Sequence, residues 1–393
     1  MATVKNVPEP RPPAGPTPSA GEGGGKFKFA SDTAGFQAEV RRRVLAYFER
    51  SGLAQGADAR MVVKSVVLLL WFAASYVGLV FAAQTAGQAA LLSISLALAM
   101  AGISFAVQHD GNHGAYSKHA PINRLMGLTL DLLGASSYIW QWKHNIAHHT
   151  YTGLNGADFD IDVPFGRLTA AQPHRPMHRF QHLYLWPIYG LFVANWQLYQ
   201  DFRQLAEARI ANSRFPRPRG WRMVEFWAGK VIFFGWAFAL PMCLHPWWVV
   251  LLGYAVTSVV LSFVLVLIFQ LAHSVEEAAL PPLAAGSQQV PRPWAVHQVN
   301  ATVDFARNNR LLCWYVGGLN FQIEHHLFPR ICHVHYPQIA PIVQQTCAEF
   351  GVRYSAHESL LAALASHARW LRRMGRPPLA EATASSGSPG GAA

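Results

Sequence analysis

The stretch that decides the fold is Ser65–Gln108, SVVLLLWFAASYVGLVFAAQTAGQAALLSISLALAMAGISFAVQ, which contains no Asp, Glu, Lys, Arg or His. A membrane-crossing helix needs about 20 apolar residues, so this stretch predicts two such helices with a tight turn near residues 84–88. A second stretch, Val231–Ala272, also lacks Asp, Glu, Lys and Arg, and only His245 interrupts it. The sequence therefore predicts an all-α integral membrane protein with four transmembrane helices in two hairpins.

The composition and the charge distribution agree with a membrane protein. Only 13% of the 393 residues are charged and 51% are hydrophobic, whereas about a quarter of the residues of a soluble domain are charged. The formal net charge is +11. Because the basic residues flank the apolar stretches, contact with anionic lipid is expected and nucleic acid is not a predicted partner.

The basic residues also predict the orientation, because cytoplasmic loops are enriched in Lys and Arg. The turns at residues 84–88 and 244–247 carry neither. The other face carries a set of basic residues: Arg41 to Arg43, Arg203, Arg209, Arg214, Arg217, Arg219, Arg222, Lys230, Arg369, Arg372, Arg373 and Arg376. We expect both termini and the active site to lie in the cytoplasm, with the chain in a bacterial inner membrane.

The segments outside the apolar stretches are expected to be helical or disordered. Residues 1–26 and 377–393 are rich in Pro, Gly, Ala or Ser and are predicted to be disordered tails. Apolar residues at helical spacing between Phe36 and Phe48 predict an amphipathic helix on the membrane surface, within an interfacial region at 27–60. A membrane domain is predicted over 61–345 and a cytoplasmic C-terminal helical region over 346–376. Two further apolar stretches, Leu125–Trp142 and Leu183–Tyr199, are predicted to be interfacial helices or helices of a cytoplasmic cap.

Three clusters of metal-ligand residues lie between these elements. They are His109-Asp-Gly-Asn-His113, His144-Asn-Ile-Ala-His148-His149 and Gln322-Ile-Glu-His325-His326. Imidazole is a good ligand for first-row metals, and residues four apart share one face of a helix. Seven histidines and a glutamine are too many for one four-coordinate site, which predicts two metal ions held together. His273, at the end of the last apolar stretch, lies on the same predicted face.

The three clusters, their order and their spacing resemble those of the membrane fatty acid desaturases. The segment Gly317–Pro329, GGLNFQIEHHLFP, is similar to the third histidine box of the front-end acyl desaturases, in which glutamine replaces the first histidine. The segment Gly156–Asp162, GADFDID, also resembles that family. The resemblance implies an oxidoreductase that uses O2 and a non-haem di-iron centre to insert a double bond near the carboxyl end of a fatty acyl chain.

The resemblance also implies a ligand set and an electron donor. The iron ligands would be the box histidines together with His273, and Gln322 occupies a box position: His109, His113, His144, His148, His149, His273, Gln322, His325 and His326. Some acyl-CoA desaturases carry an Asn four residues before the isolated histidine, where this chain has Phe269. No His-Pro-Gly-Gly signature of a fused cytochrome b5 is present. Electrons from NAD(P)H would therefore arrive through a separate ferredoxin or cytochrome b5 and its reductase. The acyl group could be carried by CoA, a carrier protein or a phospholipid.

Two further groups of residues are candidates for supporting roles. Hydrogen-bond acceptors for metal-bound imidazoles are expected among Asp158, Asp160, Asp162 and Asn320. An apolar acyl chain would need an apolar tunnel close to the metals, for which the candidates are Tyr138, Trp140, Trp142 and Phe321.

Other functions are compatible with parts of this pattern. A di-iron lipid hydroxylase, a ketolase or a sphingolipid desaturase would use the same histidines on a different lipid. A membrane haem protein for electron transfer would place facing histidines within the spans, whereas here the clusters lie at the ends of the spans. A zinc hydrolase would be expected to carry HExxH, which this sequence lacks.

Overall fold

The computed structural model of the chain describes residues 27–210, 213–281 and 287–377. The tails predicted over 1–26 and 377–393 lie outside these residues, apart from Pro377. Four helices in the described part of the chain are long and apolar enough to cross a membrane, which is the predicted number. We name them the first to the fourth span, and their bounds are Ala59–Ala82, Ala86–His113, Trp221–Leu244 and Trp247–His273.

The second span lies at the centre of the molecule. In its most apolar window 67% of the residues are buried, against 22% in the first and third spans. It is joined to the first span by a bond from Trp71 Nε1 to Ser95 Oγ of 2.9 Å, and to the fourth span by one from Thr257 Oγ1 to Ser93 O of 3.3 Å. The first and third spans expose many valine and leucine side chains, as expected where a helix faces lipid.

Three of the spans extend beyond the stretches that lack charge, and the first of them begins at Ala59 and so includes Lys64. The second span continues to His113, so the first histidine cluster forms the last turns of the span itself. The third span begins at Trp221 and includes Lys230, which is buried and lies 2.8 Å from the carboxylate of Asp201. Because this pair is satisfied inside the protein, the charge of Lys230 does not end the span.

Shorter helices precede, connect and follow the spans. They are Phe36–Ser51, Ala120–Gly127, Thr129–Leu132, Ser137–Gln141, His149–Tyr151, Pro176–Phe180, Gln181–Tyr189, Phe192–Asn195, Asp201–Glu207, Trp294–Ala301, Arg310–Tyr315, Gln322–Leu327, His333–His335, Tyr336–Glu349 and Leu360–Met374. Among the described residues, five segments have π-helical hydrogen bonding: Gly78–Ala82, Ile103–Val107, Trp142–His148, Trp196–Gln200 and Gly235–Ala239. Three short ladders pair Lys28–Phe29 with Gln289–Val290, Arg209–Ile210 with Ser213–Arg214, and Asp304–Phe305 with Ala356–His357.

The stretches Leu125–Trp142 and Leu183–Tyr199 pack against the spans, and their place as interfacial or cap helices stays a prediction. Trp236 Nε1 of the third span donates to Leu132 O at 2.9 Å, and Val193 N donates to Ser262 Oγ, in the middle of the fourth span, at 2.9 Å. Both stretches are broken into short helices. The first is interrupted at Gly134, which has φ 92°. The second is interrupted at Gly190 and Leu191, just after the helix Gln181–Tyr189 that contains Pro187. Composition alone did not distinguish contact with protein from contact with lipid.

The N-terminal amphipathic helix also packs on protein. The helix Phe36–Ser51 forms as predicted, but its apolar face, Phe36, Val40, Val44 and Phe48, is 0–4% exposed and packs against the helix Tyr336–Glu349. The predicted placement on a membrane surface is therefore wrong for this apolar face. The helix Tyr336–Glu349 also crosses residue 345, where the membrane domain was predicted to end; the division into domains stays a prediction.

Candidate metal centre

Eight histidines from the three clusters and the fourth span converge in the interior. Their ligand nitrogens form two foci, within each of which all the atoms lie within 4.8 Å of one another. The first focus consists of His109, His113, His144 and His325, and the second of His148, His273 and His326. His149 lies between them, because its nitrogen is also within 4.8 Å of those of His325 and His326.

The second cluster reaches both foci because its helix is wider than an α-helix. Residues Trp142–His148 form a π-helical segment, in which the hydrogen bond joins residues five apart. His144 and His149 therefore lie on one side, with their Nε2 atoms 3.2 Å apart. The rings of His144 and His148 stack at 5.2 Å. The α-helical spacing assumed from the sequence would not have placed His149 beside His144.

A glycine turn brings the third cluster against the first. Gly317 has φ 60°, and a Cβ atom there would lie 2.2 Å from the carbonyl oxygen of Phe105 in the second span. Only glycine permits this close approach. The helix Gln322–Leu327 follows the turn, and the rings of His325 and His109 lie 4.5 Å apart.

Several imidazoles bind a fixed partner through the nitrogen that faces away from the foci. His148 Nδ1 lies 3.1 Å from Asp158 and 3.3 Å from Asp160, so two of the four predicted acceptors are in place. Asp162 is exposed, and the amide nitrogen of Asn320 donates to Phe305 O at 3.2 Å. Neither contacts an imidazole in the part of the chain that the structure describes.

Three further acceptors were missed because no sequence motif marks them. His326 Nδ1 donates to Gln298 Oε1 at 2.9 Å, and His273 Nδ1 lies 3.4 Å from Ala301 O. His325 Nδ1 lies 3.3 Å from the hydroxyl of Tyr336. These contacts fix the ring orientation and the tautomer, as the outer partners of metal-bound histidine do.

Several of the nitrogens that face the foci have no hydrogen-bond partner among the described residues. They include the Nε2 atoms of His109, His113, His325 and His326, all of them buried. An unpaired buried polar atom costs about 1–3 kcal/mol, and four in one place would be strongly destabilising. Metal ions at the foci would satisfy all of them, so the residues present fit a two-metal centre.

The pKa values of the histidines outside the spans also agree with a two-metal centre. Burial lowers the pKa values of His144, His149, His325 and His326 well below their ordinary value, which leaves these imidazoles neutral and able to donate a lone pair. Burial also opposes the protonation of His148, but Asp158 and Asp160 outweigh it and raise the pKa of His148 to about 9. A more basic imidazole is a stronger metal ligand.

Gln322 lies within the same site. Its Oε1 atom is buried and has no hydrogen-bond partner among the described residues. The side chain lines a small cavity together with His144 and His273, which belong to different foci, and Phe269 lines the same cavity. The amide oxygen is therefore placed to approach a metal or a metal-bound molecule.

Of the four aromatic candidates, only Trp140 has a ring that contacts the box histidines in the described part of the chain. Trp140 stacks on His144 with the ring centroids 4.3 Å apart. Trp142 and Tyr138 pack in a separate apolar cluster with Phe215 and Phe226, and Phe321 packs in the cluster that covers the N-terminal helix. The rings of these three pack in those clusters, and a role for them in lining an acyl tunnel stays a prediction.

The profile of the fatty acid desaturase family matches residues 85–358, which include all three clusters. The chain belongs to the fatty acid desaturase family. It is 37% identical over 346 residues to the sn-1 linoleoyl-lipid 6-desaturase of Synechocystis, with 87% of this chain and 96% of that protein covered. The resemblance to the front-end acyl desaturases is confirmed.

Two other relatives agree with this assignment. The sn-1 linoleoyl-lipid 6-desaturase of Arthrospira platensis is 35% identical, with 88% of this chain and 94% of that protein covered. The acyl-lipid (8-3)-desaturase of Physcomitrium patens is 34% identical, with 91% and 76% covered. The chain is therefore a fatty acyl desaturase, as the histidine boxes had predicted.

Proposed function

We propose that this desaturase inserts a cis double bond on the carboxyl side of a lipid-linked acyl chain, at two iron ions held by the eight converging histidines. The observation that carries the proposal is the pair of foci at which buried imidazole nitrogens lack any other partner. Two irons with O2 supply an oxidant able to remove hydrogen from an unactivated methylene group, which no side chain can do. His149 and Gln322 lie between the foci and would contact either ion.

The protein supplies position and a dry environment. The box histidines are buried, so water is kept away from the reacting carbon. Trp140 covers the imidazole of His144 and is an apolar surface against which an acyl chain can lie. Asp158 and Gln298 hold His148 and His326 in place, so that these residues would bind the metals in a fixed position.

The names of the Synechocystis and Arthrospira platensis relatives support a lipid-linked substrate and attack at the sixth carbon. We propose the same for this chain, with electrons from NAD(P)H reaching the irons through a separate ferredoxin or cytochrome b5. The alternative substrates are acyl chains linked to CoA or to a carrier protein. A pulse of labelled fatty acid distinguishes them from a lipid-linked substrate. In a host fed labelled linoleate, the new double bond should appear in phospholipid or glycolipid before it appears in acyl-CoA.

Mapping of the double bond tests the regiochemistry. The host should be one of known lipid composition that makes no such product itself, and the His148→Ala variant is the inactive control. We expect a new bond between the existing bonds and the carboxyl end. A bond on the methyl side would refute the front-end assignment, and a hydroxylated product would favour a lipid hydroxylase.

The proposed topology has two hairpins, with the active site and both termini in the cytoplasm of a bacterial inner membrane. The short turns at 83–85 and 245–246, and the position of all three clusters at the opposite ends of the spans, support it. A reporter fused after residue 246 should report the outside, and one fused after residue 160 the inside. An outside signal at 160 would contradict this arrangement.

A further inference from the structure

A lysine lies inside the first span and is connected to the metal centre. Lys64 is only 3% exposed, and its Nζ atom donates to Nε2 of His333 at 2.7 Å. On the other side of the ring, Nδ1 of His333 donates to Asp110 Oδ2 at 2.8 Å. Ionisable residues in a membrane span are costly and usually have a function.

The chain of contacts ends at a box histidine. Asp110 follows His109 in the second span, and its Oδ1 atom lies 3.9 Å from His109 Nδ1. The backbone N–H of His333 also points to Asp110, at 3.3 Å. Neither ring nitrogen of His109 has a hydrogen-bond partner among the described residues, and the Asp110 carboxylate lies on the Nδ1 side of the ring.

The charges in this network balance. His333 donates through Nδ1 and accepts through Nε2, which is the pattern of a neutral imidazole. The ammonium of Lys64 then compensates the carboxylate of Asp110 across the ring. A buried carboxylate without such compensation would be strongly unfavourable.

We propose that Lys64 and His333 are positioning residues that hold the Asp110 carboxylate beside His109 and thereby orient this ligand toward the first focus. The inference rests on the proposed two-iron function. The ligand atoms of Asp110, Cys332 and His333 also lie within 4.8 Å of one another. However, the Lys64 ammonium that is hydrogen-bonded to His333 places a positive charge beside these three residues, which disfavours a metal cation among them.

The test compares two neighbouring histidines of the same short turn, His333–His335. Both are buried, but His335 Nε2 contacts the backbone oxygen of Gly56 at 3.1 Å and not Asp110. The full-length protein in detergent, stripped of metal, is titrated with Fe²⁺ against a chelator. We expect His333→Leu to bind Fe²⁺ about 10- to 100-fold more weakly, and His335→Leu to bind like the wild type.

A conservative variant separates positioning from packing. The amide of His333→Gln can donate to Asp110 and accept from Lys64, so its Fe²⁺ affinity should stay close to that of the wild type. Wild-type affinity in His333→Leu, or an equal loss in both leucine variants, would overturn the inference. If metal binds at Asp110, Cys332 and His333 instead, the Fe²⁺ stoichiometry will exceed two per chain and fall by one in His333→Leu.

The reduction potential gives an independent readout. Lys64→Met leaves a net negative charge near His109, which stabilises ferric over ferrous iron, so the midpoint potential should shift to a more negative value. Lys64→Arg keeps the charge and should keep the potential. An unchanged potential in Lys64→Met would contradict the proposed role even if the protein melts earlier. Absence of iron from the wild type would instead contradict the proposed function itself.

Discussion

Replacing Lys230 by methionine is expected to destabilise the protein by about 3–5 kcal/mol, the usual cost of leaving one partner of a buried ion pair uncompensated. Lys230 is 3% exposed and lies 2.8 Å from the fully buried carboxylate of Asp201. Its ammonium also donates to Gly134 O at 2.7 Å, and Asp201 accepts from the backbone N–H of Ser136 at 2.7 Å. The pair therefore fixes the turn that precedes Trp140.

The free energy of unfolding can be measured by titration with SDS in mixed micelles, followed by tryptophan fluorescence. The matched control is Arg222→Met in the same span, whose side chain is 45% exposed and pairs with Glu225 at 3.3 Å. A surface pair of this kind contributes at most about 1 kcal/mol. The double variant Lys230→Met/Asp201→Asn removes both charges and should recover part of the loss.

Because the turn positions the helix that carries His144, iron content should fall together with stability in Lys230→Met. If Lys230→Met unfolds at the same SDS concentration as Arg222→Met, the buried pair contributes no more to stability than the surface pair, and the prediction is refuted. It is also refuted if the double variant is less stable than Lys230→Met, since the loss would then not arise from an uncompensated charge.

Three further predictions concern the metal centre. His148→Ala should lose bound iron and turnover while still inserting into the membrane. The control His119→Ala, at an exposed histidine, should keep its iron and its turnover. Normal iron content and turnover in His148→Ala would exclude His148 as a ligand. Asp158→Asn, which weakens the acceptor of His148 Nδ1, should reduce Fe²⁺ affinity about 10- to 100-fold, and an affinity equal to that of the wild type would show that the contact does not tune the ligand. Trp140→Leu should lower the turnover number more than it lowers stability, and Trp142→Leu should do the reverse; the same ratio of the two losses in both variants would mean that Trp140 is only a packing residue.

The sequence by itself determined the four apolar spans and the histidines of the candidate metal centre. A helix in lipid must satisfy its own backbone hydrogen bonds, so a long apolar stretch such as Ser65–Gln108 specifies its structure without help from distant residues. Imidazole groups in three spaced clusters likewise predict metal binding before the distances between the histidines are known. The family resemblance could be stated at this level because it rests on the same local motifs.

The tertiary structure decided which of these residues meet and what supports them. The widened helix at Trp142–His148, the close approach of Gly317 to the second span and the pairing of His326 with Gln298 all depend on contacts between distant parts of the chain. The same holds for Lys230, whose partner Asp201 lies outside its own span. Local sequence reports how apolar a segment is, but not whether protein or lipid will cover it. The apolar face of Phe36–Ser51 and the tryptophans at 140 and 142 therefore acquire their roles only when the fold gives each its neighbour.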